Sequence, residues 1–285
     1  MKNKTKGIYL AYDFIEKVPY NLEEIKSSSI TEIVVPLLKI NKERWKELRS
    51  TNKVLSIAIP ATSWNVEKCP LNPQEEKERK ERILKAVSYN PDKIILDALR
   101  FAGTWSPLEE FKFHKECKYC KGKNREKEIL RIARDIKKLV GNKIKLGFFA
   151  IPSKPLQAKL NKGPLEKTSL ESKNQLDLFG QNVIKLTNIF DFVSPMLYHQ
   201  FLNKEVNFIE KYVKELRKNI TKDIIPIIQI FEMPSTPIKM LSNNEIKEVY
   251  KAAIKKDSDG VYLFTWDTAL LCGKDKEMME ILRKD

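Results

Sequence analysis

Short apolar runs rich in β-branched residues alternate along the chain with longer charged segments. The runs fall at 7–12, 32–38, 53–60, 93–99, 143–151, 191–198, 223–231 and 260–266. Each is apolar almost throughout rather than at every second position, the pattern of strands covered on both faces. Between them, 21–28, 41–50, 74–89, 124–140, 170–189, 204–218, 243–256 and 274–284 have helical spacing. In 124–140, Ile129, Ile132, Ile136 and Leu139 recur at steps of three and four, drawing one apolar stripe along a basic helix. Gly141 follows at once and tolerates the left-handed backbone on which helices commonly end. Eight strands, each followed by a helix, predict an α/β fold of the (β/α)8 TIM-barrel type, one domain over residues 1–285. No GxGxxG, GxxxxGKS or GxxxxGKT phosphate loop is present, which removes the main support for a nucleotide-binding open sheet.

Two long connections, at about 101–123 and 152–169, both follow strands. They are expected at the end of a barrel where active sites sit. Side chains leaving the strands converge there as well: Asp13, Asp97 with Arg100, Tyr198-His199-Gln200, Gln229 with Glu232, and Trp266-Asp267. Carboxylates at the exits of strands one, four, seven and eight, interleaved with aromatics, suit a carbohydrate cleft. Sugar rings have apolar faces and many hydroxyls, and glycosidic cleavage uses two carboxyl groups, one protonated and one ionised. Asp97 interrupts an otherwise apolar strand, where an acid is costly unless paired or functional; Arg100 is the candidate structural partner. Asp13 and Asp267 can instead cap the element that follows, and Tyr198 and Trp266 can pack the mouth of the barrel or serve as sugar platforms. His199 is one of only two histidines, so histidine triads have little room.

The net charge of +15 changes this picture little. Only ten of the 53 basic residues are Arg, and the Lys are interleaved with Glu, as in Lys77-Glu78-Arg79-Lys80-Glu81-Arg82. That is a solvated helix face rather than a phosphate-tracking groove, so no nucleic-acid partner is expected, while an anionic polymer stays compatible. No apolar run reaches the ~18 residues of a membrane span. The start carries no secretory leader, which favours the cytoplasm.

Four cysteines are too few for a disulfide scaffold. His114, Cys117 and Cys120 form an H-x2-C-x2-C run after strand four, and Cys69 lies on the connection after strand three. Those four are a candidate Cys3His structural zinc site; a disulfide from Cys69 to a loop cysteine and plain free thiols are the rivals. Cys272 stands apart. No cofactor is required by the expected chemistry.

Several strand segments are similar to those of a known group. Ile-Leu-Asp97-Ala-Leu-Arg100-Phe101 resembles the LDYxRF motif of uncharacterised glycosyl-hydrolase-like TIM-barrel proteins. Asp191-Phe-Val-Ser194-Pro195-Met196-Leu-Tyr198 resembles their DxxSPMxY segment and, more distantly, the MxYD strand of family-eighteen chitinases. Pro226-Ile-Ile-Gln229-Ile-Phe231 is similar to their PWLQxF, and Trp266 to their closing tryptophan. The resemblance touches strands four, six, seven and eight. The chitinase DxxDxDxE run is absent, the position often acidic in the seventh-strand motif is Ile230, and an acid stands two places later at Glu232.

The reading that results is a glycoside hydrolase acting on a poly- or oligosaccharide. Asp97, beside Arg100, is expected to be the ionised nucleophile or base, and Glu232 the general acid. Asp13, Arg100, Tyr198, His199, Gln229, Trp266 and Asp267 are expected to hold substrate. The competing class is a non-catalytic barrel that binds a glycan or protein partner through the same cleft; a third is a barrel enzyme of other chemistry, marked by metal or phosphate at the strand exits.

Overall fold

The structure, a computed structural model, describes residues 3–10, 20–62, 68–101, 114, 116–152, 179–233 and 238–283. Six apolar runs become β1 (Thr5–Tyr9), β2 (Glu32–Pro36), β3 (Val54–Pro60), β4 (Lys93–Asp97), β5 (Lys145–Ala150) and β6 (Phe192–Pro195). The seventh run is divided into β7 (Asp223–Ile224) and β8 (Ile227–Gln229). Pro226 stands between them and has no N–H to give a continuous ladder. β9 (Gly260–Phe264) completes one sheet in the order β7-β6-β5-β4-β3-β2-β1-β9-β8. The registered pairs of β1 with β2, β1 with β9, β4 with β5 and β8 with β9 are parallel. Beyond β6, Met196 forms a parallel bridge with Ile227, and Leu197 N–H donates to the Ile227 carbonyl at 2.9 Å. Counting the divided strand once, this is the eightfold β/α alternation of the (β/α)8 class.

The helices are α1 (Leu22–Ser27), α2 (Lys42–Arg49), α3 (Pro73–Ser88), α4 (Arg125–Val140), α5 (Val183–Thr187), α6 (Asn207–Arg217), α7 (Asn243–Ala253), α8 (Trp266–Leu271) and α9 (Asp275–Arg283). Their starts are set locally. Asn21, Asn41, Asn72, Asn124 and Asn182 each accept a backbone N–H from the first turn of the helix that follows. Such a cap contributes about 1 kcal/mol. In the segment expected to be helical over 170–189, the described residues form α5 from Val183 to Thr187, and Phe179 is helical as well. α8 is an addition to the sequence expectation: Thr265 caps it by accepting from Thr268 N–H, so a helix begins directly where β9 ends. No helix among the described residues is long and apolar enough to cross a membrane.

Backbone contacts group the chain into two compact units, residues 1–57 with 194–285, and residues 58–193. In the first, Gly7 on β1 leaves room for the Tyr262 ring: a Cβ there would lie 2.2 Å from a ring carbon. Tyr262 thereby reaches the buried Glu32, donating its hydroxyl at 2.7 Å, while Ser56 donates to the same carboxylate oxygen at 2.5 Å. On α6, Phe208, Ile209, Tyr212, Val213 and Leu216 are buried, at roughly 1.5–3 kcal/mol for a fully buried aliphatic or aromatic side chain. In the second unit, Gly147 on β5 plays the part of Gly7, with the Phe192 ring 2.4 Å from where its Cβ would be. Asp191 accepts from Leu146 N–H at 2.8 Å and pairs with Lys137 of α4 at 3.0 Å, tying helix to sheet.

Candidate active site

In the 58–193 unit, β4 ends on Asp97 and the backbone turns sharply. Ala98 has φ of 50°, the left-handed region that costs a residue with a Cβ about 1 kcal/mol or more, and its N–H donates to Asp97 Oδ1 at 2.7 Å. Neighbours hold this turn. Ala61 N–H donates to the Asp97 carbonyl at 2.7 Å, and the Thr62 hydroxyl lies 2.5 Å from the Ala98 carbonyl and 2.9 Å from that of Arg100. Gln181 is buried and staples the exits of two strands. Its Oε1 accepts from Ile151 N–H at 2.9 Å, and its Nε2 donates to Phe149 and Leu99 carbonyls at 3.2 and 3.3 Å.

The Asp97 side chain keeps partial solvent exposure although the strand it leaves is buried. Burial pushes its carboxyl above the ordinary aspartate range; the charge of Arg100 and the Ala98 N–H pull the other way without cancelling the rise. The Arg100 charge acts in the direction expected from sequence, and burial acts against it. Loss of hydration outweighs one nearby cation.

In the other unit, Tyr198 stacks on Phe264 with centroids 5.4 Å apart, and Phe231 stacks with the same ring at 6.1 Å. Tyr9 leans on the same ring at 5.2 Å. Tyr9 and Tyr198 are buried, while Phe231 and Phe264 remain partly exposed. Trp266, expected as a platform, is only 2% exposed and packs inside α8. Phe264 is the exposed aromatic at this exit, and its place on an aromatic-rich strand was the signal for it. Gln229 is wholly buried and both ends of its amide bond within the protein: Oε1 accepts from Phe201 N–H at 3.1 Å, and Nε2 donates to Gln200 Oε1 at 3.2 Å and the Phe231 carbonyl at 2.9 Å. His199 is buried with Nε2 2.9 Å from Glu245 Oε1, and Glu245 lies in the first turn of α7.

The acids of this unit differ in the same way. Asp267 is buried and accepts a hydrogen bond from the Tyr20 hydroxyl. Burial, with the Asp267 charge adding to it, raises the Tyr20 phenol above its ordinary range, and Arg44 sits 4.9 Å over the Tyr20 ring. Glu232 is half-buried beside an antiparallel bridge between Phe231 and Met240. Its N–H donates to the Lys239 carbonyl at 2.8 Å and its carboxylate pairs with Lys239 Nζ at 2.6 Å. That contact holds the Lys239 ammonium above its ordinary pKa. Asp13 lies outside the described residues. Gln181, Tyr20 and Glu245 carried no signal in the sequence, since each acts through a partner distant along the chain.

A second constellation lies in the 58–193 unit. Cys69, His114, Cys117 and Cys120 are all buried, and one ligand-type atom from each falls within 4.8 Å of all the others. Cys120 Sγ is 3.4 Å from His114 Nδ1. All four cysteines of the chain are free thiols, Cys272 exposed and the other three buried.

No protein-family model matches the sequence, and no curated protein matches it. Solved structures do match. The chain superposes on the PgaB (BpsB) glycoside hydrolase domain from Bordetella bronchiseptica with a TM-score of 0.68 at 8% identity, covering 99% of each chain. It superposes on the chitinase RmChi1 from Rhizomucor miehei with a TM-score of 0.57 at 10% identity, covering 98% of this chain and 100% of that one. A class V chitinase mutant from Cycas revoluta, in complex with (GlcNAc)3, gives a TM-score of 0.57 at 11% identity, over 97% and 99%. The fold is that of the glycoside hydrolase barrels. At such identities the likeness establishes the fold and the distant similarity expected from the strand motifs, and nothing finer.

Proposed function

We propose that this protein is a glycoside hydrolase that cleaves a poly- or oligosaccharide by paired-carboxylate acid/base catalysis, with Asp97 as general acid. The observation that carries the reading is Asp97 itself: a carboxyl at a barrel strand exit, reached by solvent and raised by burial above its ordinary range. A general acid gives its proton to the leaving oxygen, and burial moves the Asp97 carboxyl in the direction that suits this role. Glu232 is assigned the partner's role, as nucleophile or base, beside Lys239. This exchanges the roles expected from sequence. Phe264 supports an apolar sugar face, and the GlcNAc oligomer bound to the Cycas chitinase makes N-acetylhexosamine polymers the first substrates to try.

A second reading, a barrel that binds glycan without cleaving it, is favoured by one observation: Glu232 is engaged by Lys239 at 2.6 Å. A panel of chitin, poly-N-acetylglucosamine, peptidoglycan and plant glycans separates the two. Release of reducing ends by the parent protein, lost in folded Asp97→Asn, supports hydrolysis. Binding of a glycan with no turnover by the parent supports the second reading. Carboxyl separations of roughly 5–10 Å between Asp97 and Glu232 in a ligand-bound crystal structure are required by the first, and a larger gap removes Glu232 from it.

A further inference from the structure

The four buried groups Cys69, His114, Cys117 and Cys120 have no part in the proposed hydrolysis. They come from two segments of the 58–193 unit: Cys69 from the connection between β3 and α3, the other three from the connection between β4 and α4. Buried cysteines often serve simply as small apolar side chains. That role does not bring three sulfurs and an imidazole nitrogen together within 4.8 Å from separate stretches of chain.

The local backbone is shaped for sulfur ligands. Cys117 and Cys120 lie in one tight turn, in which Cys120 and Lys121 N–H both donate to the Cys117 carbonyl, at 3.2 and 2.9 Å. The turn brings the two sulfurs of the C-x2-C pair to one side. Cys69 Sγ accepts from Leu71 N–H at 3.4 Å, a bond that steadies a thiolate. A tetrahedral ion with Zn–S near 2.3 Å and Zn–N near 2.0–2.1 Å requires ligand atoms roughly 3.5–3.8 Å apart. The His114 Nδ1 to Cys120 Sγ distance of 3.4 Å is already there, and contraction of the widest pair from 4.8 Å completes the tetrahedron. Three thiolates, one imidazole and a divalent ion leave one negative charge, and exposed Lys118, Lys121 and Lys123 surround the turn.

We propose that Cys69, His114, Cys117 and Cys120 bind one zinc ion in a closed Cys3His structural site. All four positions of a tetrahedral ion are taken by protein, so the site has no open position for substrate or water and its work is mechanical. It fastens the connection after β3 to the connection after β4. The His114 ring stands edge-on to Phe101, centroids 5.5 Å apart, and Phe101 also takes its place by donating its N–H to the Phe179 carbonyl at 2.9 Å. Phe101 follows Arg100 and the Asp97 turn directly, so the metal braces the backbone on which Asp97 stands.

The test uses the full-length protein, purified under reducing conditions from zinc-supplemented medium. Elemental analysis is expected to find about one zinc per chain. Cobalt put in its place is expected to give thiolate-to-metal charge-transfer absorption and the intense visible bands of a tetrahedral ion. Cys117→Ser and Cys120→Ser are expected to lose the metal, and Cys272→Ser to keep it. Should the loop variants fail to fold, the cobalt spectrum of the parent still decides. Thiol titration of the native protein is expected to find Cys272 reactive and the other three protected until a chelator is added. Metal content below about one-tenth of an equivalent with no cobalt spectrum overturns the proposal. So does an intact mass two hydrogens short of the reduced chain, which marks a disulfide. Because none of these readings involves a glycan, the zinc site stands or falls apart from the hydrolase reading.

Discussion

The exits of β4 and β9 each carry an aspartate that the sequence marks as a candidate, and the two behave differently. Asp267, after β9, is buried inside the first turn of α8 and takes the Tyr20 hydroxyl. Asp97, after β4, bonds the N–H of its own neighbour, keeps contact with solvent, and is pushed upward by burial. The first is an acid absorbed into the structure. The second leaves its outer oxygen to other partners and stands on a left-handed turn that several other residues hold in place. An acid at a strand exit is therefore a better candidate for chemistry when solvent still reaches it than when it is buried against a hydroxyl donor.

The largest expected effect lies at Asp97. Replacing it with Asn is expected to lower hydrolysis by about 10²–10⁴-fold, the span of a lost general acid, with an unchanged circular dichroism spectrum. Parent-level turnover by Asp97→Asn would collapse the distinction drawn above. Removing the donor to Asp267 acts on stability instead. Tyr20→Phe leaves a buried carboxylate short of a hydrogen bond and is expected to cost about 1–3 kcal/mol in denaturant unfolding, with hydrolysis kept. Gly7→Ala, which drives a methyl group into the Tyr262 ring, is expected to cost about 1–3 kcal/mol by the same measurement. Phe264→Ala is expected to raise KM by roughly two- to tenfold with little change in kcat, as for the loss of one stacking face. Trp266→Phe is expected to move the melting temperature and leave KM alone, since that ring is buried.

The same comparison has a pH form. A carboxyl whose folded pKa lies above its unfolded value binds its proton more tightly when folded. Its stabilising share is therefore present at low pH and lost as pH rises through the folded pKa. Toward neutral pH the cost of ionising this buried group opposes folding. Asp97→Asn is thus expected to melt above the parent at neutral pH, with the gap narrowing as pH falls into the carboxylate range. A variant less stable than the parent at neutral pH would assign Asp97 a structural role like that of Asp267.

Much of the fold was legible because burial on both faces writes strands as continuous apolar runs; the asparagine caps at Asn21, Asn41, Asn72, Asn124 and Asn182 came from the structure, although such residues are a start signal that sequence contains. Pro226 divides β7 from β8 by a rule that the sequence also contains. α8 escaped notice since Thr265, its cap, follows an apolar strand with no loop between. At the site, residue type and spacing pointed to Asp97, to the aromatic exit of β9 and to the Cys-His cluster. They did not reveal that Trp266 turns inward while Phe264 stays exposed, or that Gln229 spends its amide on Gln200, Phe201 and Phe231. Nor did they show the balance at Asp97. A neighbouring arginine is visible in a sequence, whereas the hydration a side chain loses depends on everything packed around it.

The direct measurement is the titration of the Asp97 side-chain carboxyl by carbon NMR, assigned by its disappearance in Asp97→Asn. The account predicts a midpoint above the ordinary aspartate value near 4. A midpoint at or below that value would show a carboxylate already ionised, and would leave the proposed acid without its proton.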